Sequence, residues 1–249
     1  MRISVITVCF NAVEHIEETI RSVVVQDHQE IEHIVIDGGS TDGTLQRIER
    51  YRELIAHVVS GPDNGVYDAM NKGLRLATGE VVVFVNGGDM IAHRNCLSYM
   101  ARAFAESDAE AIYGDAYMVD PKDITRVRRF WKGEPYDREA FRRGWMPPHL
   151  ATYIRKEVYD RFGLFREDLK VSADYELLFR FMFKHRIRVR YVPKVLVRFR
   201  LGGVSNRSLL HILRANREVY KAWQRSASTP WARGRPIPWP SASRSSAAR

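Results

Sequence analysis

The apolar positions of the first ninety residues follow two alternating rhythms. Ile3–Cys9 is an almost unbroken apolar run of strand length. In Val13–Gln26, Ile16, Ile20 and Val23 or Val24 fall at helical spacing. The alternation then repeats: Ile31–Ile36 reads as a strand, and Thr41–Leu54 as a helix with Leu45, Ile48 and Ile55 on one side. Ala56–Val59 reads as a short strand, Val66–Ala77 as a helix and Val81–Val85 as a strand. The last consists of four valines and Phe84, the pattern of a strand buried on both faces of a parallel sheet. A βαβα order predicts an α/β fold with a mostly parallel, Rossmann-like sheet flanked by helices. Ligands of such sheets bind beyond the carboxyl ends of the strands. Asn11, Asp37 and Asp89 each follow a predicted strand, which places all three on one rim.

The second half is less regular. Ala111–Val119 predicts a hairpin or strand pair around Gly114-Asp115, and Lys122–Arg143 is a basic stretch. Pro147-Pro148-His149 marks a loop. Lys156–Phe162 and Ala173–Lys184 predict helices, Ile187–Val192 and Val195–Arg200 strands, and Leu209–Trp223 a further helix. From Ser226 the chain is Ser, Pro, Ala and Arg with stray tryptophans, a composition that predicts disorder. Residues 1–110 and 111–225 are therefore expected to be two halves of one domain, followed by a basic tail over 226–249.

Composition narrows the class. With 249 residues, 45% of them hydrophobic, the chain can bury a sizeable core. Cys9 and Cys96, the two cysteines, fall in a predicted strand and helix and read as reduced core residues of a cytoplasmic protein. The first residues lack a signal peptide's apolar region, and no apolar run is long enough to span a membrane. The net charge of +9 is carried by clusters such as Arg126-Val-Arg128-Arg129 and Arg142-Arg143. No nucleic-acid-binding motif accompanies them, so the charge points to phosphate groups or to peripheral contact with an anionic membrane at the inner face of the plasma membrane.

The candidate chemistry lies where strands end. Asp37-Gly-Gly-Ser-Thr-Asp-Gly43 opens a helix after a strand, but its middle glycine position is Ser40, so it is not a dinucleotide-binding G-x-G-x-x-G loop. Helix capping accounts for Ser40 and Thr41. Asp37 is different, an acid at the exit of a buried strand, where it can accept hydrogen bonds from a nucleobase or ribose. Val81–Met90 ends in Asn86-Gly-Gly-Asp89, two residues without side chains and then a carboxylate. Asp174 opens another predicted helix, in Val171-Ser-Ala-Asp-Tyr-Glu-Leu-Leu178. A carboxylate in a first helical turn is held ionised by the helix dipole, and that effect alone is enough to explain an acid there.

Taken together, Ile3–Asn11, Ile34-Val-Ile-Asp-Gly-Gly-Ser-Thr-Asp-Gly-Thr44 and Ser60-Gly-Pro-Asp-Asn-Gly-Val-Tyr-Asp-Ala-Met-Asn-Lys-Gly73 resemble family 2 glycosyltransferases of the GT-A fold. The third motif is similar to a branch that builds bacterial exopolysaccharides of the colanic-acid type. The resemblance covers about the first 205 residues. It implies that residues 1–110 bind a nucleotide diphosphate sugar, a UDP-sugar by family frequency, and that residues 111–225 hold the acceptor and the base. Thr7, Asn11, Asp37, Asp68, Asn71, Lys72, Asn86 and Arg200 are then expected at the nucleotide sugar, with Asp37 reading the base. Asn86-Gly-Gly-Asp89 falls on the metal motif, with Asp89 ligating Mn²⁺ or Mg²⁺; Gly88 stands where the family often has a second acid. Asp174 takes the position of the base that deprotonates the acceptor hydroxyl. His149, in Pro147-Pro-His-Leu150, is expected near the diphosphate or acceptor, and Arg198–Ser205 as a loop over the donor. The implied activity is inverting transfer to a lipid-linked saccharide in exopolysaccharide synthesis. A sugar-phosphate nucleotidyltransferase, or a non-catalytic sugar-nucleotide-binding protein, would use the same kind of domain.

Overall fold

The computed structural model describes residues 1–143 and 145–202. The predicted helix Leu209–Trp223, the basic tail and the last residues of the Arg198–Ser205 segment lie outside them. Strands β1 (Ile3–Cys9), β2 (Ile31–Asp37), β3 (His57–Ser60) and β4 (Val81–Asn86) are parallel and lie in the order β3-β2-β1-β4. Cys9 pairs with Asp37 and Val8 with Asn86, so β1, β2 and β4 end along one edge. The crossovers are α1 (Ile16–Val24), α2 (Thr44–Glu49) and α3 (Val66–Leu76).

β4 shows why its sequence is continuously apolar. Val81, Val83 and Val85 pack into a cluster with Val23 of α1 and with Leu97, Met100 and Phe104 of α4 (Cys96–Ala105). Val82 and Phe84 pack on the other side, against Met70 and Leu74 of α3 and Leu177 of α6 (Ala173–Leu178). All five are at most 1% exposed, and burial of each stabilises the fold by about 1.5–3 kcal/mol.

The rest of the sheet is mixed. β8 (Thr152–Arg155) pairs antiparallel with β4 and with β6 (Ala111–Val119); β6 pairs parallel with β9 (Val189–Arg200). β9 carries the two-residue strand β5 (Met90–Ile91), and β7 (Val127–Trp131), inside the basic stretch, pairs with β6. Helix α5 (Lys156–Phe162) follows β8.

Three expectations need correction here. Gly114-Asp115 is not a hairpin turn, because β6 runs straight through it with a shift of register against β9. A Cβ at Gly114 would lie 2.5 Å from the Lys194 carbonyl oxygen, so the two backbones touch there, a common use of glycine inside a strand. The two expected strands flanking Pro193 are one strand, since the same irregularity accommodates a residue that cannot donate to the ladder. The single helix expected over Ala173–Lys184 is α-helical only to Leu178 and continues as a π-helical turn over Phe179–Lys184, closed by a bond from His185 N to Arg180 O. Among the described residues, no helix is long and apolar enough to cross a membrane.

Candidate active site

The rim formed by β1 and β2 is two interlocked loops. Asp37 is fully buried and accepts hydrogen bonds from Ser40 N at 3.1 Å, from the Ser40 hydroxyl, and from Ser60 Oγ at 2.6 Å. The loop it fixes then grips the end of β1. Asn11 N donates to Ser40 Oγ at 2.8 Å, and Asn11 Oδ1 accepts from Thr41 N at 3.0 Å. Asn11 itself is in the left-handed region, with φ 47°, which asparagine tolerates better than most residues. Beside it, Phe10 is 62% exposed, and it lies near enough to Gly38 for a Cβ there to touch its ring. A large aromatic this exposed at a strand exit presents a flat apolar face to solvent.

The exit of β4 is tighter. A Cβ at Gly87 would lie 2.7 Å from the Cβ of Cys9, so no side chain fits. Gly88 has φ +108°, a conformation that strains any other residue. The Asn86–Asp89 motif therefore carries a single carboxylate. Asp89 is 8% exposed and accepts from Arg200 N at 3.0 Å. Burial pushes its pKa up to about 7, against the opposing effects of the Arg200 amide and the Asn86 side chain. Asn86 Oδ1 is buried with no hydrogen-bond partner. Among the described residues there is no cluster of three His, Cys, Asp or Glu able to hold a metal unaided. The orphaned Asn86 oxygen beside the Asp89 carboxylate fits a hard divalent ion that shares its shell with substrate phosphates, as Mg²⁺ commonly does.

Arg200 occupies a different place from the one expected. Its Nε donates to Gly88 O at 2.9 Å, its Nη1 to Pro121 O at 3.0 Å, and its Nη2 pairs with Glu18. Gly88 N in turn donates to Thr19 Oγ1 at 2.8 Å. The guanidinium ties the glycine loop to α1 and to the β6–β7 loop instead of projecting toward a diphosphate.

A third group gathers beside the first turn of α3. Tyr67 donates to Val171 O at 2.8 Å and approaches Asp174 Oδ1 at 3.3 Å, while Tyr175 N donates to the same oxygen at 2.8 Å. Asp174 remains partly exposed. His149 stacks on Phe84 of β4 at 5.6 Å and meets Phe165 edge-on at 5.5 Å. Burial lowers its pKa, and the charge of Asp174 pulls the other way. Glu176 faces elsewhere and pairs with Arg180 at 3.0 Å.

Two expected site residues are support instead. Thr7 is fully buried in the middle of β1 with its hydroxyl 3.0 Å from His33 Nε2, so no ligand can reach it. Asn71 is 2% exposed and clips the 165–167 segment to α3, donating to Phe165 O and Glu167 Oε1 and accepting from Phe165 N. Asp68 and Lys72 pair at 3.2 Å; Asp68 also receives Asn64 N at 2.9 Å, and Lys72 donates to Pro62 O at 2.9 Å. They hold the loop before α3. Sequence reasoning passed over Tyr67, which only the fold brings to Asp174. It also passed over Phe10, which an aromatic at the exit of a buried strand could have signalled.

A family model described as "Glycosyl transferase family 2" matches residues 4–163. An uncharacterized glycosyltransferase of Mycobacterium tuberculosis is 29% identical over 180 residues, covering 72% of this chain and 68% of the relative. A PGL/p-HBAD biosynthesis glycosyltransferase of the same species is 29% identical over 211 residues, covering 82% and 78%. S. aureus TarS, solved in complex with UDP-GlcNAc, superposes with a TM-score of 0.68 at 22% identity, covering 91% of this chain and 65% of that one. The mannosyltransferase PcManGT from Pyrobaculum calidifontis, solved with GDP-Man and Mn²⁺, gives 0.65 at 23%, covering 90% and 64%. The chain thus spans just under two thirds of each of these two solved structures, and 39% of a longer TarS chain. The likeness establishes the GT-A fold.

Proposed function

The chain belongs to glycosyl transferase family 2, and from that premise we propose that it is an inverting transferase moving a sugar from a nucleotide diphosphate sugar to a saccharide hydroxyl. The observation that carries this reading is the run of aromatic rings from Phe84, two residues before Asn86, through Phe165 to Tyr67, whose hydroxyl lies 3.3 Å from Asp174 Oδ1. A carboxylate able to act as base and the Asn86–Asp89 loop thereby border the same end of β4.

In this reading Phe10 offers its ring to the nucleobase, and Asp37, buried and engaged by Ser40 and Ser60, fixes the loop that closes that end of the pocket without itself touching the base. Asn11 and the segment from Asp63 through the first turns of α3 border the ribose and sugar. Asp89 and Asn86 Oδ1 would hold Mn²⁺ or Mg²⁺, which when bound offsets the charge growing on the leaving diphosphate. Asp174 takes the proton of the acceptor hydroxyl as its oxygen attacks the anomeric carbon, and the bond to the diphosphate breaks with its electron pair leaving on the phosphate oxygen. One displacement gives inversion. His149, kept neutral by burial, borders the acceptor side.

The donor is proposed to be a UDP-sugar, in line with the UDP-GlcNAc held by TarS, though PcManGT holds GDP-Man. The acceptor is proposed to be lipid-linked, at the cytoplasmic face of the membrane, in exopolysaccharide or cell-surface glycolipid assembly; the PGL/p-HBAD relative favours the latter. Incubation with UDP-, GDP- and dTDP-sugars, with release of nucleotide diphosphate as the readout, tests the reading. Release from one donor, abolished by EDTA and restored by Mn²⁺, is expected. Release of inorganic pyrophosphate would indicate a nucleotidyltransferase, and tight binding without release a sensor.

A further inference from the structure

A cavity of about 280 Å³ opens between α1, β5 and β9, one turn along α1 from the Glu18–Arg200 contact. Its lining is apolar from Val25, Met90, Ile91 and Ile124, and cationic from Arg198 and Arg94. Ser22 and Gln26 also line it, but their polar groups are engaged: Ser22 Oγ bonds Thr19 O and Ile91 N, and Gln26 bonds Ser22 O, His93 O and Leu97 N. The unmet capacity is that of Arg198. Of its five donors, one makes a long bond of 3.4 Å to Ile124 O and Nε is buried with no partner. Among the described residues it pairs with no carboxylate, unlike Arg200 two residues on.

The apolar lining continues outward. Val25 is 55% exposed. Across the sheet, Met90, Arg198, Tyr117 and Phe130 stand in one register row, the last two rings 5.4 Å apart, and the row ends at Phe130, 44% exposed. A cation without a counter-ion, set between apolar surfaces that reach solvent on both sides, matches an anionic head joined to an apolar chain.

We propose that this cavity binds the phosphate headgroup of an anionic lipid, with Arg198 on the phosphate and the Val25 and Tyr117–Phe130 surfaces against its chains. The assignment goes beyond the transfer reaction and does not depend on which acid is the base. It gives the positive charge of the chain a defined point of membrane contact.

Vesicle flotation with the full chain tests it, using phosphatidylcholine alone, with phosphatidylglycerol, or with polyprenyl phosphate. The expected result is binding to one or both anionic vesicles and not to phosphatidylcholine, whose choline neutralises its own phosphate; the pair of arms tells a bulk lipid from a polyprenyl carrier. Arg198→Gln should weaken binding about 10-fold or more, with Arg198→Lys recovering part of it and Arg75→Gln, an equal loss of charge on α3, leaving it unchanged. Ile124→Asp, which places a carboxylate beside Arg198 on an exposed loop, should abolish binding even if Arg198→Gln fails to fold. Wild-type binding by both Arg198→Gln and Ile124→Asp would overturn the proposal, and so would an equal loss in Arg75→Gln. Displacement by inorganic phosphate at the lipid's own concentration would remove the apolar half of the assignment and overturn it as well.

Discussion

Among the acids buried where the parallel strands begin and end, Glu32 at the amino end and Asp89 just beyond the carboxyl end have opposite surroundings. At the amino end, Glu32 accepts from Ser4 Oγ at 2.5 Å, Thr78 Oγ1 at 2.6 Å, Thr78 N at 2.8 Å and Gly79 N at 3.3 Å. Burial opposes its ionisation, but these hydrogen bonds win and its pKa falls below the usual glutamate range. At the carboxyl end, Asp89 has the Arg200 amide and the Asn86 side chain, burial wins, and the pKa rises to about 7. The first acid is fully served by its own chain, tying β1 to β2 and holding the α3–β4 connection. The second is short of donors and sits beside an orphaned amide oxygen. Buried groups left incompletely satisfied mark places where a protein gives up stability for a ligand.

The comparison breaks most sharply at the carboxyl end. Asp174→Asn should lower single-turnover rate by about 10²–10⁴-fold with the melting temperature and donor titration little changed, because it removes a proton acceptor and keeps the shape. A loss of about 0.3–1 kcal/mol in stability with normal turnover would instead make Asp174 a helix-dipole residue. At the amino end, Glu32→Gln should cost about 1–3 kcal/mol, since donors are left facing a poorer acceptor. Because the folded pKa of Glu32 is depressed, its contribution is present above the ordinary value of 4.5 and disappears as pH falls through the folded pKa. Denaturant titrations at pH 7 and pH 3 should therefore show a gap between wild type and variant that narrows in acid. A gap that widens would reverse the assignment. The smallest effect is at Gly88, where Gly88→Ala should lose about 1 kcal/mol from its positive φ, since neighbouring atoms leave room for a methyl group. A much larger loss in chemical denaturation would mean that packing, not backbone conformation, fixes that residue.

Much of the first half was legible because each element there has one strong period. β1 matches its predicted bounds, and β4 and α3 match to within one residue, because a strand that is continuously apolar and a helix with regularly spaced apolar positions leave little ambiguity. The second half was read poorly where structure depends on long-range pairing. β5 is two residues long, β8 four, and β7 lies in a basic run with no alternation to reveal it. The rim positions of Asn11, Asp37 and Asp89 followed from topology alone. The orientation of side chains did not: Thr7 and Asn71 lie in motif positions but face inward to His33 and Phe165, and Arg200 turns to Gly88 and Glu18. Motifs locate a residue along the chain, while its exposure depends on what packs over it.

The central claim is that Asp89 is held for a ligand and Glu32 for the fold. Melting of wild type, Asp89→Asn and Glu32→Gln, each with and without Mn²⁺ and UDP, tests it most directly. The account predicts that Asp89→Asn melts at or above wild type at pH 8, where the wild-type carboxylate is ionised and poorly solvated, and loses the ligand-induced rise. Glu32→Gln should melt lower and keep that rise. An Asp89→Asn protein that melts as low as Glu32→Gln, or that retains the full rise with Mn²⁺ and UDP, would contradict it.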